Sequence, residues 1–301
     1  MADFINNHLG EFAALLTAFF WTITALAFES ASKKIGSLAV NIIRLAIGFV
    51  FLSFYNLIAR KLFLPVDATL HNWIWLTISG LIGFVLGDLF LFKSYIIIGS
   101  RFSMLIMTLV PPITALFSWI MIGEKLKLLH LFGMTLTFSG IAIAIFSRSA
   151  KGEKLSLKLA PSGIFYAIGG AIGQALGLVL SKIGLGEYDP FAATQIRIIA
   201  GIAGFAVLIT FMTRWGSIRA ATGNRGGMIT TTLGAFFGPF LGVSFSLVAV
   251  KYTEAGIAST IMALVPVLII PPAVLLYKQK VTIAEIIGAF ISVAGVAVFF
   301  I

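Results

Sequence analysis

Apolar residues occur along this chain in ten runs separated by short polar segments. Each run holds roughly 18 to 25 residues, which is enough for a helix to cross a hydrocarbon core of about 30 Å. The predicted spans are 11–28, 38–58, 73–97, 102–122, 129–147, 161–181, 190–212, 228–250, 256–277 and 283–301. This pattern predicts an all-α integral membrane protein with almost no mass outside the bilayer.

The second half of the chain repeats the first. Leu109-Val110-Pro111-Pro112 returns 155 positions later as Leu264-Val265-Pro266, and nearer the N-terminus Arg44 returns 153 positions later as Arg197. We therefore predict a first five-helix repeat over 1–147, a linker loop over 148–160 and a second five-helix repeat over 161–301. Because five is odd, the two copies cross the membrane in opposite senses. Inverted repeats are typical of secondary transporters, whose substrate sites lie near the midplane.

Composition narrows the class further. The chain is 59% hydrophobic and 11% charged, with a mean hydropathy of +1.08, which excludes a water-soluble domain. It has no cysteine, so disulfides and thiolate metal sites are excluded. The net charge of +10 comes from basic residues scattered through short loops, which favours contact with lipid headgroups over nucleic acid. Met1–Gly10 has no basic stretch or cleavage site, so we expect no signal peptide.

Ionisable residues inside predicted spans are costly and mark function by default. Arg44 lies about 9 Å and Asp88 about 13 Å from the same membrane face at 1.5 Å per residue, so the two can pair. One interpretation is a fixed ion pair. The other makes Asp88 a proton or cation site and Arg44 an anchor for a substrate carboxylate. Val243 occupies the position equivalent to Asp88, so the carboxylate belongs to one repeat only.

Arg197 has no carboxylate at a similar depth in the sequence, and we expect Glu11, near the same face, as its partner. Neutral polar and aromatic side chains inside the spans complete the candidates for substrate binding or coupling. They are Trp21, Asn41, Phe90, Tyr95, Gln174, Gln195 and Ser246.

Three prolines also lie inside predicted membrane spans. Pro111, Pro112 and Pro266 each remove a backbone donor, which predicts kinks that serve as hinges or expose carbonyls to a cavity.

No catalytic motif is visible. The chain has no Gly-x4-Gly-Lys-Ser/Thr loop and no His-Glu-x2-His, so we expect no catalytic residue, metal site or cofactor and no enzyme. A passive facilitator or channel remains an alternative, as does, with less support, a membrane enzyme or lipid scramblase.

Several of these features resemble the EamA branch of the drug/metabolite transporter superfamily. They are Pro111 followed by Gly123-Glu124-Lys125, then Gly133 and Gly140, with Arg44 and Arg197 in the second helix of each repeat. The resemblance implies a multi-pass secondary transporter of a bacterial inner membrane, often exporting amino acids or drug-like compounds by proton coupling or exchange. Its expected partners are a small-molecule substrate, membrane lipids and a proton, and it acts as a monomer or homodimer. The second copy departs from the pattern, since Gln279 stands where Glu124 does in the first.

The family resemblance and the positive-inside rule predict opposite orientations of the termini. The resemblance implies cytoplasmic termini, whereas Lys and Arg are more numerous in the loops on the opposite side. By the positive-inside rule that excess would place the termini outside.

Overall fold

The computed structural model describes residues 2–147, 160–272 and 281–301, and these residues form a helical bundle. The helices of the first repeat are α1 Ala2–Asn7, α2 Leu9–Ile35, α3 Ser37–Arg60, α4 Leu70–Gly80, α5 Asp88–Met107, α6 Val110–Ile122 and α7 Leu128–Ser147. Those of the second are α8 Pro161–Leu185, α9 Pro190–Phe211, α10 Trp215–Thr222, α11 Arg225–Ala235, α12 Val243–Tyr252, α13 Ala255–Met262, α14 Val265–Leu268 and α15 Ile283–Ala297.

These helices confirm the predicted architecture of ten transmembrane helices in two inverted repeats. Among the described residues nine helical segments are long and apolar enough to cross a membrane, and α6 is a shorter apolar helix. The short α10, between α9 and α11, was not predicted; its polar sequence lies outside the membrane-spanning segments.

The third membrane crossing consists of α4, Leu81–Gly87 and the first part of α5, and the fourth consists of the rest of α5 and α6. The two crossings meet in a sharp reversal inside α5. The hydroxyl of Ser94 donates to that of Ser103 over 2.7 Å. In a straight helix, residues nine apart lie about 13 Å apart along the axis. The chain must therefore fold back between them, so Asp88–Met107 is not one straight helix. The turn thus falls where the sequence predicted it, between spans 73–97 and 102–122.

The prolines predicted to kink the helices lie beside local interruptions of helical hydrogen bonding. Pro111 and Pro112 lie in the first turn of α6, and Pro266 lies in the first turn of α14. First-turn positions suit proline because their backbone nitrogens need no intrahelical acceptor. The helix is interrupted just before each of them, at the equivalent positions 108–109 and 263–264. The backbone angles there stay in the right-handed helical region, so the fourth and ninth crossings are locally interrupted rather than separated into independent helices.

A second matched irregularity was not predicted. Leu81–Gly87 joins α4 to α5 as a π-helical segment, and Phe236–Gly242 joins α11 to α12 in the same way, 155 positions later. Wide π-helical turns occur frequently at functional sites. Each repeat thus has one π segment in the middle of its third helix.

The repeats interlock through their first helices. α8 packs along the third crossing of the first repeat, and α2 packs along α11 and α12 of the second. Glycines allow this approach: a Cβ on Gly173 would lie 2.8 Å from the Cα of Gly87, and one on Gly177 would lie 2.8 Å from the Cα of Gly83. Small residues permit such close backbone packing in membranes.

The last helices of the two repeats pack against each other. Thr137 and Ser292, which are equivalent in the repeats, each bring a hydroxyl to the other's carbonyl, at 3.5 and 3.3 Å. A Cβ on Gly140 would lie 2.5 Å from the carbonyl oxygen of Gly288. The small-residue faces of α7 and α15 are therefore used within the chain.

Gly140→Ala should destabilise the protein, because the added methyl meets backbone of α15 and forces the two helices apart. Overpacking of this kind typically costs about 1–3 kcal/mol. Thermal unfolding of the detergent-purified protein would show a lower Tm. Gly216→Ala is the control, since nothing lies within 4 Å of a Cβ at that position in α10. An unchanged Tm for Gly140→Ala would contradict the described packing.

Candidate functional site

A buried charge cluster lies directly after the first π segment. Arg44 of α3 forms an ion pair with Asp88, whose other oxygen accepts a hydrogen bond of 2.9 Å from the amide of Gln174. Asp88 is 7% exposed. The structure therefore brings together three of the residues proposed from the sequence, two from the first repeat and one from the second.

The surroundings hold this cluster in position. The Gln174 amide also donates to the carbonyl of Gly83 over 3.3 Å, inside the π segment. The Arg44 guanidinium lies 5.4 Å from the ring centre of Phe28, within the range of a cation–π interaction. Gly87 leaves room for Gln174, since a Cβ there would approach the amide nitrogen to 3.2 Å.

The equivalent place in the second repeat is apolar. Val243 replaces Asp88, and Trp21 replaces Gln174 at the matching contact, where its indole nitrogen lies 2.6 Å from a Cβ built on Gly242. The contact between a first and a third helix is kept while its chemistry changes. The charge cluster therefore occurs at only one of the two equivalent contacts between a first helix and a third helix.

Arg197 of α9 was expected to pair with Glu11, and this prediction is wrong. Glu11 instead accepts from the Thr253 hydroxyl over 2.8 Å and lies 3.9 Å from His8. The Arg197 side chain extends towards the first π segment, where its Cζ lies 4.9 Å from the ring centre of Phe84. Glu11 lies only two residues into α2, at the membrane face, whereas Arg197 lies about 10 Å inside.

The structure describes no counterion for Arg197. It is 5% exposed, and within the described part of the chain it forms no ion pair or hydrogen bond; its Nε is enclosed with no partner. An arginine at the centre of a membrane helix costs about 2.5–3.5 kcal/mol on insertion scales. A desolvated cation–π contact offsets about 2 kcal/mol of this. The site therefore holds one neutralised and one unneutralised guanidinium.

Three other predicted residues are close in sequence to Arg44 or Asp88. Phe90 packs on Gly169 and meets Tyr166 edge-on, with ring centres 5.6 Å apart. Asn41 is 3% exposed and its side-chain oxygen has no partner among the described residues. The side chain of Tyr95 lies outside the part of the chain that the structure describes.

Two predicted residues have structural partners that do not include the cluster. Gln195 is fully buried; its oxygen accepts from Asn56 over 2.9 Å, and its amide donates to Ser53 and to the Phe63 carbonyl. It joins α9 to the end of α3. The Ser246 hydroxyl bonds the Val243 carbonyl of its own helix at 2.7 Å.

Sequence reasoning missed the polar network that joins the helix ends on the side of the chain termini. Glu124 forms an ion pair with Lys182 and accepts a hydrogen bond of 2.9 Å from the backbone nitrogen of Ala255, the first residue of α13. Lys182 also donates to the Thr253 carbonyl over 2.7 Å. The network links both repeats at this face. In the sequence only the Gly123-Glu124-Lys125 motif pointed to this network, and the motif does not identify the residues that Glu124 binds.

A second group on this face surrounds Tyr188, in the loop before α9. Its hydroxyl donates to Asp67 over 2.8 Å, and Arg60 forms an ion pair with the same carboxylate. Burial, and then the hydrogen bond to Asp67, raise the pKa of Tyr188 to about 12. The phenol therefore remains a donor throughout the physiological range.

Ten membrane helices in two interlocked inverted repeats form a multi-pass membrane protein, and this architecture is shared by many membrane transporters. The model of the EamA-like transporter family matches residues 8–146 and 161–301. The chain belongs to this family.

Comparison with solved structures agrees on the fold, and 29 solved chains match. One of them, a crystal structure of a protein given no further name, superposes with a TM-score of 0.75 over 96% of this chain and 95% of its own. Since the two sequences are 20% identical, this likeness concerns the fold alone. No curated protein matches the chain.

Removing one member of the Arg44–Asp88 pair should cost far more stability than removing both. Asp88→Asn or Arg44→Gln alone leaves an uncompensated buried charge, for which about 3–5 kcal/mol is typical. The double variant leaves none and should recover much of the loss. Thermal unfolding of the four proteins forms a double-mutant cycle that measures the coupling.

Arg197→Gln is the matched comparison, because it removes a cation that has no counterion among the described residues. We expect its Tm to equal or exceed that of the wild type. A loss as large as that of Arg44→Gln would show that Arg197 has a counterion after all.

Proposed function

We propose that this protein is a secondary active transporter that exports small organic metabolites, such as amino acids or drug-like compounds, across a bacterial inner membrane. It works by alternating access about a midplane site between the repeats. The observation that carries this proposal is the charge cluster of Arg44, Asp88 and Gln174, which is buried where the third crossing packs on α8 of the other repeat. If the two repeats rock against each other, the contact between α8 and the third crossing changes, and the cluster changes with it.

Two features of the helices support a moving site. The interruptions at 108–109 and 263–264 lie in equivalent helices of the two repeats, and so do the π segments. Irregular backbone at membrane depth is tolerated where it is buried in protein or lines a cavity. Broken helices around a midplane site are a common feature of transporters built from inverted repeats.

Coupling follows from the chemistry of Asp88. A proton on its carboxylate neutralises the partner of Arg44, so the attraction holding α3 to the third crossing weakens. Protonation and the packing of two helices are then linked, which is what proton coupling or exchange requires. In the competing interpretation the pair is fixed and never titrates, and transport is passive.

The terminal-side network serves as the closed gate in this mechanism. Glu124, Lys182 and Ala255 connect α6, α8 and α13, which come from both repeats. Opening that face requires these contacts to separate, while the buried cluster becomes exposed to the opposite face in the other half of the cycle.

Asp88→Asn should abolish uptake driven by a pH gradient and retain exchange, because the amide cannot carry the coupling proton. Uptake of a panel of radiolabelled amino acids is measured in two kinds of proteoliposome. Vesicles loaded with buffer report gradient-driven uptake, and vesicles loaded with unlabelled amino acid report exchange. Arg225→Gln, at an exposed position, is the control for altered surface charge.

Full gradient-driven uptake by Asp88→Asn would reject Asp88 as the coupling residue. Downhill flux without accumulation, in the wild type as in the variant, would instead favour a passive facilitator.

Locking the terminal face shut should stop transport. Ala115 of α6 and Gly256 of α13 belong to different repeats, and a Cβ on Gly256 would lie 2.9 Å from that of Ala115. Disulfides join Cβ atoms about 3.8 Å apart, so a small shift admits one. The chain has no native cysteine, so the pair can be introduced without background.

Oxidation of the Ala115→Cys/Gly256→Cys variant is expected to abolish flux, and a reductant should restore it. Each single variant serves as the control and should be insensitive to oxidation. Undiminished flux through the quantitatively cross-linked protein would contradict alternating access at this face.

A further inference from the structure

We propose that Arg197 is the receptor for an anionic group of the substrate, and that the transported compounds are carboxylates, including zwitterions that carry one. This inference rests on the proposed function and narrows its substrate class. It is carried by the contrast between two arginines at equivalent positions of the repeats, Arg44 with an ion-pair partner and Arg197 without one among the described residues.

Only one of these arginines has its charge matched. Arg44, which is partly buried, is paired with Asp88, while Arg197 is more fully enclosed by protein and has no ion pair or hydrogen bond within the described ranges. Buried charges in membrane proteins normally pair with other groups or face a pathway. With one carboxylate and two guanidinium groups, the site carries one positive charge in excess. A bound anion would remove that excess.

The surroundings of Arg197 leave it suited to a planar acid. The ring of Phe84 covers one face of the guanidinium, at 4.9 Å from Cζ, while the nitrogens around its edge donate no bond to the described residues. A guanidinium edge presents parallel N–H groups that match the two oxygens of a carboxylate. Stacking from one side and unused donors at the edge together favour recognition of a carboxylate.

Arg197 also lies beside the charge cluster. Its Nη2 would be 3.5 Å from a Cβ on Gly83, and the carbonyl of Gly83 accepts from the same Gln174 amide that bonds Asp88. Gly83 therefore lies between Arg197 and the charge cluster of Arg44, Asp88 and Gln174. A zwitterion could place its carboxylate at Arg197 and its ammonium towards Asp88, and so link substrate binding to protonation.

The alternative is that Arg197 only fills space between α9 and the third crossing. Its loss would then change stability and leave untouched the preference for one ligand head group over another. The experiment therefore compares head groups rather than affinity alone.

Three ligands share a ring and a short chain and differ in charge: phenylacetate, phenylacetamide and phenethylamine. Their dissociation constants are measured by titration calorimetry on the full-length purified protein. We expect the wild type to bind phenylacetate at least 10-fold more tightly than phenylacetamide. Arg197→Gln should lose this preference, and Arg197→Lys should keep part of it because the charge remains without the planar fork.

Arg225→Gln is the matched control, since it removes the same charge at an exposed position and should preserve the preference. Equal binding of phenylacetate and phenylacetamide by the wild type would overturn the proposal. So would failure of phenylacetate to bind, or a preference that Arg197→Gln leaves intact.

Flux measurements separate this inference from the proposed function. Transport of neutral or cationic solutes that is indifferent to Arg197→Gln would sustain the function and overturn the carboxylate receptor. Carboxylate-selective binding without flux in proteoliposomes would contradict the transport function and sustain the receptor.

Discussion

Close contact between α8 and the third crossing is the interaction on which the site depends. Gly173 and Gly177 meet Gly87 and Gly83 backbone to backbone, so that two helices from different repeats approach within the reach of short side chains. Only at this distance can the Gln174 amide bond Asp88. Lipid tails are as apolar as the helix surfaces, so packing and polar contacts of this kind, rather than water exclusion, hold the repeats together.

The duplicated scaffold supports unequal chemistry in its two halves. Each repeat has a π segment, an interrupted helix and an arginine in its second helix, but the position of Asp88 is occupied by a valine in the other copy. Symmetry of the backbone allows two related arrangements of the repeats, while asymmetry of the charges gives them different affinities for a proton or an anion. A ligand can shift such an equilibrium only through that difference.

Several features could be predicted because they depend on composition, repetition or depth. Apolar runs of sufficient length must be helical in hydrocarbon, where every backbone group needs a partner within its own segment. Counting residues from a common membrane face placed Arg44 and Asp88 at similar depth, and the structure brings them into contact. For Arg197 the same count gave no carboxylate at equal depth, and the nearest candidate, Glu11, lies at the membrane face and accepts from Thr253 instead.

Other features depend on contacts between distant parts of the chain. A π segment has the same apolar composition as an α-helix, so Leu81–Gly87 has no distinct signature. The partners of Glu124 come from the second repeat, and no local pattern selects them. The sequence by itself determined ten membrane helices, their duplication and the charges that had to be buried, since these follow from the cost of transfer into lipid. Tertiary structure alone decided which arginine is neutralised, because pairing depends on how helices are rotated and packed against one another.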